Sequence, residues 1–542
     1  MNEVGAREKD KENKNETSVV HIEVHVGVFF DGTNNNANNN KWYDWFRFTN
    51  SVEKDHALNN TIIPDKNKKI SNPAILSALF VSKDNNHTQE DIHEKYLHVY
   101  IEGSGANGFQ AQNQLLDIVV NGKPVNGLGF GLGPTGVVAK VSKAIKYIGE
   151  RIEAEEYNPN TIIDYIHFYV FGFSRGSACS RLFSFLIARS AGDSEGTLDK
   201  EKEFDKYLTK RYFKNGKVSF LEAYNGKMSV DFLGIYDTVS AIGFLKEEDD
   251  SVNKLRTAFL YNPDFWGNFH RENAKAYGLY SPKMSKVLST CHICAMDEFR
   301  ANFALTDIGS AASGNNIELF IPGCHSDVGG GYTEDSKAEK KTLLKSVDNR
   351  LTRMCVNNPT KSGAEWKPLS TELLKELGWT DDGGIEVTKV TDDGIDIVHN
   401  PTPQYQYSNI PLKFMFERAI LKAPKLKELF SDYPKDIYPI PGPSFGILNG
   451  MWNKINGVIS SSGRYCYLFD GKYSSLYYKY IRQSYLHFTS TDTLHGFGDP
   501  GNPPGRKAAG QYSNICRLVY RGEENDTNVH YMQDYNENMV MI

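Results

Sequence analysis

Apolar and polar residues alternate from residue 21 and merge into an unbroken apolar run ending at Phe30, which predicts a strand with a buried end. Asp31-Gly32-Thr33 and an Asn-rich loop stop it. Residues 96–101 predict a second strand, closed by Glu102-Gly103-Ser104-Gly105. Val137, Val141, Ala144, Ile145, Ile148 and Ile152 recur at three- and four-residue intervals, so 137–154 reads as a helix. A strand at 166–171 follows directly. Downstream come a helix continuing through 183–188, then strands at 230–236 and 317–321. Strands alternating with helices predict an α/β fold, a mostly parallel sheet covered by helices on both faces.

The flanks differ from this body. Residues 1–18 lack the hydrophobicity to fold and read as disordered. The body spans 19–335. From 336 to 400 the composition turns polar, with Asp-Asp-Gly twice, as in an insertion or surface appendage. Residues 401–542 are rich in Tyr, Pro and Gly, carry one clear helix at 412–429, and are expected to pack on the body.

Composition narrows the function. The chain has 542 residues with 40% hydrophobic and 24% charged residues, the balance of a soluble globular protein, and its net charge is −6. No Lys/Arg stripe exists to neutralise phosphates, which excludes nucleic acid as partner. The N-terminus lacks the apolar stretch of a secretory signal, so synthesis in the cytoplasm without a signal peptide is expected. No run of 18 apolar residues occurs. Seven cysteines at irregular spacing make no disulfide framework and fit a reducing compartment.

The first chemical signal is Gly172-Phe173-Ser174-Arg175-Gly176. In a nucleophile elbow the serine sits on a strained strand-to-helix turn, and glycines two residues either side avoid Cβ clashes. By composition alone about 0.3 such motifs are expected by chance in this chain, and a second stands at Gly442-Pro443-Ser444-Phe445-Gly446. Context separates the two. Ser174 follows a strand and precedes the small residues Ser177 and Ala178, whereas Ser444 follows Tyr438-Pro439-Ile440-Pro441, which no central strand accepts.

A serine so placed needs an acid and then a histidine, each just past a strand's C-terminal end. Asp237 follows the 230–236 strand directly. His325 follows the 317–321 strand within Pro322-Gly323-Cys324-His325. His325 would deprotonate Ser174 while Asp237 holds the imidazole tautomer. Each also has an ordinary structural reading, Asp237 as a helix cap and His325 as a brace of a glycine-rich loop. His487 also lies late enough to serve as the base. The oxyanion hole should combine the backbone N–H of Arg175 with that of Gly32 or Thr33, while Asp31 orders its turn.

Taken together, Val28-Phe29-Phe30-Asp31-Gly32-Thr33-Asn34, the Ser174 elbow, Tyr236-Asp237-Thr238-Val239 and His325-Ser326-Asp327-Val328-Gly329-Gly330-Gly331-Tyr332 resemble the phospholipase effectors delivered by bacterial type VI secretion, in the lineage with the G-F-S-R-G elbow. The resemblance covers 21 to about 335, and Leu412-Lys413-Phe414-Met415-Phe416-Glu417-Arg418-Ala419 resembles a later helix of the same family. It implies an α/β-hydrolase fold, a triad at Ser174, Asp237 and His325, and hydrolysis of membrane phospholipid esters without a cofactor. It further implies a secretion spike as carrier, an immunity protein in the producer, and delivery into the target-cell periplasm. A soluble-substrate esterase on the same triad, or a non-catalytic hydrolase-fold binding module, are the alternatives.

Other signals carry less. Gly131-Leu132-Gly133-Pro134-Thr135-Gly136 matches a dinucleotide fingerprint, but the apolar run at 118–120 ends ten residues earlier. Cys291-His292-Ile293-Cys294 mimics a zinc or redox pair without a second pair, so buried cysteines are expected. His325 with Asp327 lacks a third ligand, and no metal is expected in the chemistry. Finally, Phe445, Leu448, Trp452, Ile455 and Ile459 place an apolar, aromatic stripe on 444–460. That stripe fits a lid inserting at a lipid interface, or an ordinary core helix.

Overall fold

The computed structural model describes residues 19–33, 35, 70–80, 94–104, 136–156, 161–190, 218–240, 286–299, 303–332, 404–433, 435, 440, 446–467 and 474–487, with shorter stretches at 117–120, 123–126, 212–213, 341–347, 352–357, 364–368, 370–379, 385–391, 394–399, 513–515, 518–520, 530–531 and 539–542. The expected disorder of 1–18, the glycine cluster before 136, Ser444 and Phe445 lie outside the described residues.

Eight strands form the main sheet: β1 Val20–Phe30, β2 Glu94–Ile101, β3 Thr161–Phe173, β4 Met228–Tyr236, β5 Thr290–Ala295, β6 Ile317–Ile321, β7 Gly463–Cys466 and β8 Val540–Met541. Their order is β2-β1-β3-β4-β5-β6-β7-β8, and every neighbouring pair is parallel. The order reverses once, at β1, and then runs in one direction. All the C-terminal strand ends therefore point to one rim, where an α/β sheet gathers its functional loops.

Side-chain alternation along β1 divides the core. Val24, Val26, Val28 and Phe30 face α2 (Val137–Glu156) and α3 (Arg175–Ser190). Phe29 faces the other way, onto α1 (Asn72–Leu79) and α5 (Asn409–Lys422). The expected α/β-hydrolase-like sheet with helices on both faces is present.

Three features depart from the sequence reading. β5 carries the Cys291-His292-Ile293-Cys294 stretch as a fully buried central strand. The sheet does not end near 335, because β7 and β8 come from the C-terminal region and extend it. Strands of four and two residues are too short to show a periodicity. The polar 336–400 segment forms one small sheet of Lys341–Val347, Ile385–Thr391 and Gly394–His399 and two strands of another, Thr352–Asn357 and Ala364–Pro368, which Ser513–Ile515 joins. The same segment inserts Leu373, Leu374 and Trp379 into the main core. Arg482 lies over the Trp379 ring at 4.8 Å and donates to Asp297 at 3.0 Å.

The stripe on 444–460 forms α6 (Gly446–Asn456), and Leu448, Met451 and Ile455 are fully buried in the same core cluster as α5. In this conformation that face packs against the body, as a core helix or a closed lid would. Arg418, in the α5 motif, is also fully buried; its guanidinium donates to the carbonyls of Asn315 at 2.8 Å, Ser461 at 2.7 Å and Ile459. It ties α5 to the loops that precede β6 and β7.

Candidate active site

β3 ends at Phe173 and α3 starts at Arg175, leaving Ser174 alone on the turn. Its φ is +61°, a left-handed conformation that costs an L-residue about 1–2 kcal/mol. The neighbours that hold it there are backbone groups. Ser174 N–H donates to Tyr236 O at 3.0 Å, and its carbonyl accepts from Ser177 N at 3.0 Å and Val239 N at 3.3 Å. The flanking glycines are required by contact. A Cβ on Gly172 would lie 2.3 Å from Ser180 Oγ, and one on Gly176 would lie 2.4 Å from the carbonyl oxygens of Phe30 and Asp31. The elbow thus packs on the end of β1, which brings Ser174 beside the 31–33 turn.

Asp237 is the residue after β4 and the other non-glycine with positive φ among the described residues, at +43°. It is fully buried. Oδ1 accepts from Ala295 N at 2.9 Å, and its own N–H donates to Ile293 O at 2.8 Å, so the end of β5 fixes the carboxylate. Oδ2 accepts from His325 Nδ1 at 2.5 Å. With Nδ1–H committed to a carboxylate, Nε2 is the basic nitrogen of the ring.

His325 opens α4 (His325–Gly329), the short helix after β6. Its ring sits against two aromatic rings, Phe173 at 4.5 Å and Phe303 edge-on at 4.8 Å. Phe173 is Ser174's own neighbour, so one side chain links elbow and imidazole. Its fit is close: a Cβ on Gly329 would fall 2.0 Å from the Phe173 ring. The 322–325 loop is braced by Gly323 N–H to Asp297 at 2.8 Å and Tyr407 O–H to Pro322 O at 2.6 Å. None of these braces was legible in the sequence, because each joins segments far apart in the chain.

His487 is brought to the same rim, in another role. Its Nδ1 lies 2.7 Å from Asp327 Oδ1, its N–H donates to Asp327 Oδ2 at 3.0 Å, and its ring stacks on Tyr332 at 3.5 Å. Asp327 in turn accepts from Cys324 N–H at 2.9 Å. His487 therefore clamps the helix that carries His325, and the carboxylate partner of the two histidines differs.

The turn after β1 is equally ordered. Asp31 accepts from Gly32 N–H at 2.6 Å, Tyr100 O–H at 2.5 Å, Asn35 Nδ2 at 3.4 Å and Ser71 O–H. Burial outweighs these donors and raises its carboxyl above the usual range. Asp31 is thus the organiser of its turn. Gly32 spends its N–H on that carboxylate, which leaves Thr33 as the better of the two loop donors for an oxyanion. Thr33 Oγ1 accepts from Arg175 Nε at 2.8 Å, tying loop to elbow, and burial brings the guanidinium down to about 10.

Behind Asp237 lies a charged network that sequence reading missed. Thr238 N–H donates to His292 Nε2 at 3.2 Å, and His292 Nδ1 pairs with Glu318 Oε1 at 2.8 Å. Arg464 binds Glu318 at 3.0 Å and also Asp307. Burial pushes the Glu318 carboxyl up, but Arg464 and His292 outweigh it and hold it below 4.5. Cys291 and Cys294 are buried as expected, and burial pushes the Cys291 thiol up to about 12, which makes it inert.

Among the described residues no helix is long and apolar enough to cross a membrane. The family model described as the catalytic domain of Tle1-like type VI secretion phospholipase effectors matches residues 25–354. No curated protein matches the chain. Among solved structures, the Tle1 effector bound to the VgrG spike of a type VI secretion system is similar over 88% of this chain and 85% of its own, at 18% identity and TM-score 0.47. An uncharacterized protein from Pseudomonas aeruginosa is similar over 81% of this chain and 52% of its own, at 16% identity and TM-score 0.32. With more than half of its length matched by that family model, the chain belongs to the Tle1-like phospholipase effectors of type VI secretion.

Proposed function

We propose that this protein hydrolyses acyl esters of membrane phospholipids through an acyl-enzyme on Ser174. The observation that carries the reading is the 2.5 Å bond between Asp237 and His325, whose ring packs at 4.5 Å on Phe173, the residue before a serine held at φ +61°. His325 Nε2 takes the Ser174 hydroxyl proton as Oγ attacks the ester carbonyl, and Asp237 stabilises the imidazolium. The N–H groups of Arg175 and Thr33 receive the oxyanion. The imidazolium then protonates the departing lysophospholipid oxygen, and a water activated by the same histidine releases the fatty acid. Residues 19–335 supply all of these groups, and β7 and β8 complete the sheet that holds them.

By its family, the enzyme is an antibacterial effector carried on a secretion spike into the target periplasm, with an immunity protein protecting the producer. Purified protein incubated with phosphatidylethanolamine/phosphatidylglycerol vesicles should release free fatty acid and lysophospholipid. A fluorophosphonate probe should label Ser174 and no other serine. Hydrolysis of short soluble esters with no release from vesicles would favour the soluble-substrate esterase instead, and neither activity would favour the binding module.

A further inference from the structure

Toward the N-terminal end of the sheet, far from Ser174, three potential metal ligands converge beside a second histidine. Glu23 and His25 stand two apart on β1 and therefore share a face. In the sheet register Glu94 of β2 lies level with Glu23, and His167 of β3 lies level with His25. Seven residues of strand separate His167 from Ser174, roughly 20 Å of chain at the usual rise.

Both imidazoles meet a partner at Nδ1. His25 Nδ1 is 3.1 Å from the Tyr169 hydroxyl, and His167 Nδ1 is 2.8 Å from Asp231 Oδ2, whose other oxygen accepts from Ser229 at 2.6 Å. The Asp231 carboxylate accepts from His167 Nδ1–H, whereas the Tyr169 hydroxyl can meet either tautomer of His25. The two rings stack at 4.9 Å with a 15° interplanar angle.

Both Nε2 atoms face a carboxylate at the same distance, beyond hydrogen-bond reach. His25 Nε2 is 3.6 Å from Glu94 Oε1, and His167 Nε2 is 3.6 Å from Glu23 Oε2. His25 Nε2 is buried and makes no hydrogen bond, on a residue 4% exposed. The ligand atoms of Glu23, His25 and Glu94 all lie within 4.8 Å of one another. Ligands about 2.0–2.2 Å from a tetrahedral zinc ion stand about 3.3–3.5 Å apart, near the 3.6 Å between His25 Nε2 and Glu94 Oε1. Glu94 is held for the purpose: Lys425 and Tyr96 each bind its Oε2 at 2.5 Å, leaving Oε1 turned to His25.

The other cluster of this kind, His292 with Cys294 and Glu318, lacks that readiness. Its imidazole nitrogens already bond Thr238 and Glu318.

We propose that Glu23, His25 and Glu94 bind one divalent transition-metal ion of the zinc class, which staples β1 and β2 together at the end of the sheet remote from the chemistry. Tag-free full-length protein, treated with EDTA and freed of chelator, is titrated with zinc chloride by calorimetry and melted with and without zinc. One equivalent should bind with a micromolar or lower Kd and raise Tm. Because His25 is buried, His25→Ala can fail to fold, so Glu23→Gln and Glu94→Gln at the more exposed ligands decide. Each should weaken zinc binding at least tenfold and abolish the Tm shift. Absence of stoichiometric binding in the wild type, or unchanged binding in both variants, overturns the proposal.

Discussion

Asp237 presents one carboxylate oxygen to His325 Nδ1 at 2.5 Å and the other to the Ala295 amide at 2.9 Å, while its backbone stands at φ +43°. A side chain anchored at both oxygens cannot rotate away from the imidazole, and a strained residue persists only where its surroundings over-determine it. Ser174 shares that left-handed strain, and its amide is bonded to the carbonyl of Tyr236, the residue before Asp237.

The two carboxylate roles separate by substitution. Asp237→Asn keeps an acceptor for Ala295 and a residue that tolerates positive φ, so folding should survive while kcat falls about 10⁴-fold through the wrong histidine tautomer. Asp237→Ala removes the acceptor and worsens the strain, and should lower stability by a further ~2 kcal/mol or more. Urea titrations beside ester kinetics read both, and equal stability of the two variants would contradict the anchoring role.

Ser174→Ala should abolish hydrolysis, by about 10⁴- to 10⁶-fold, because the missing Oγ removes the nucleophile. Its stability should match or exceed that of the wild type, since alanine at φ +61° carries the same strain. Ser444→Ala, in the second G-x-S-x-G, should be near neutral. An inactive Ser444→Ala beside an active Ser174→Ala would mean that the wrong elbow had been chosen.

His325→Ala and His487→Ala should behave differently although both rings reach the same rim. The first removes the base and should be inactive while folded. The second loses the Asp327 and Tyr332 contacts, which should cost about 1–2 kcal/mol of stability and reduce the rate only modestly. A folded but dead His487→Ala with an active His325→Ala would reverse the assignment of the base.

Leu448→Ala, on the buried face of α6, should destabilise by about 2–5 kcal/mol, and vesicle and soluble-ester hydrolysis should fall together as folded protein is lost. Selective loss of vesicle hydrolysis at unchanged Tm would assign that stripe the interfacial role of a lid.

Burial, with His167 adding to it, lowers His25 from 6.5 to about 4. Between those two values the unfolded chain takes a proton that the fold refuses, so stability is full above 6.5, declines as pH falls, and levels off below 4. The span amounts to at most about 3 kcal/mol. Chelator-treated His25→Gln should show a flatter stability profile than wild type between pH 6.5 and 4, and parallel profiles would exclude His25 as the source.

The sequence by itself determined the elements whose signal is local. The apolar runs of β1, β3, β4 and β6 announce buried strands, and the glycines around Ser174 announce a tight turn; the close approach of Gly176 to the Phe30 and Asp31 carbonyls gives that second pattern its physical cause. Asp237 and His325 could be picked out as candidates because one follows such a strand directly and the other after three residues. Tertiary structure alone decided the rest. Whether the α6 stripe meets lipid or core depends on what lies opposite it, and α5 does. Whether His325 or His487 faces Asp237 depends on which strand ends share a rim, since Asp237 and His325 are 88 positions apart and Asp327 and His487 are 160. The Glu23, His25 and Glu94 cluster exists only through strand register, because a one-residue slip of β2 against β1 would turn Glu94 to the other face.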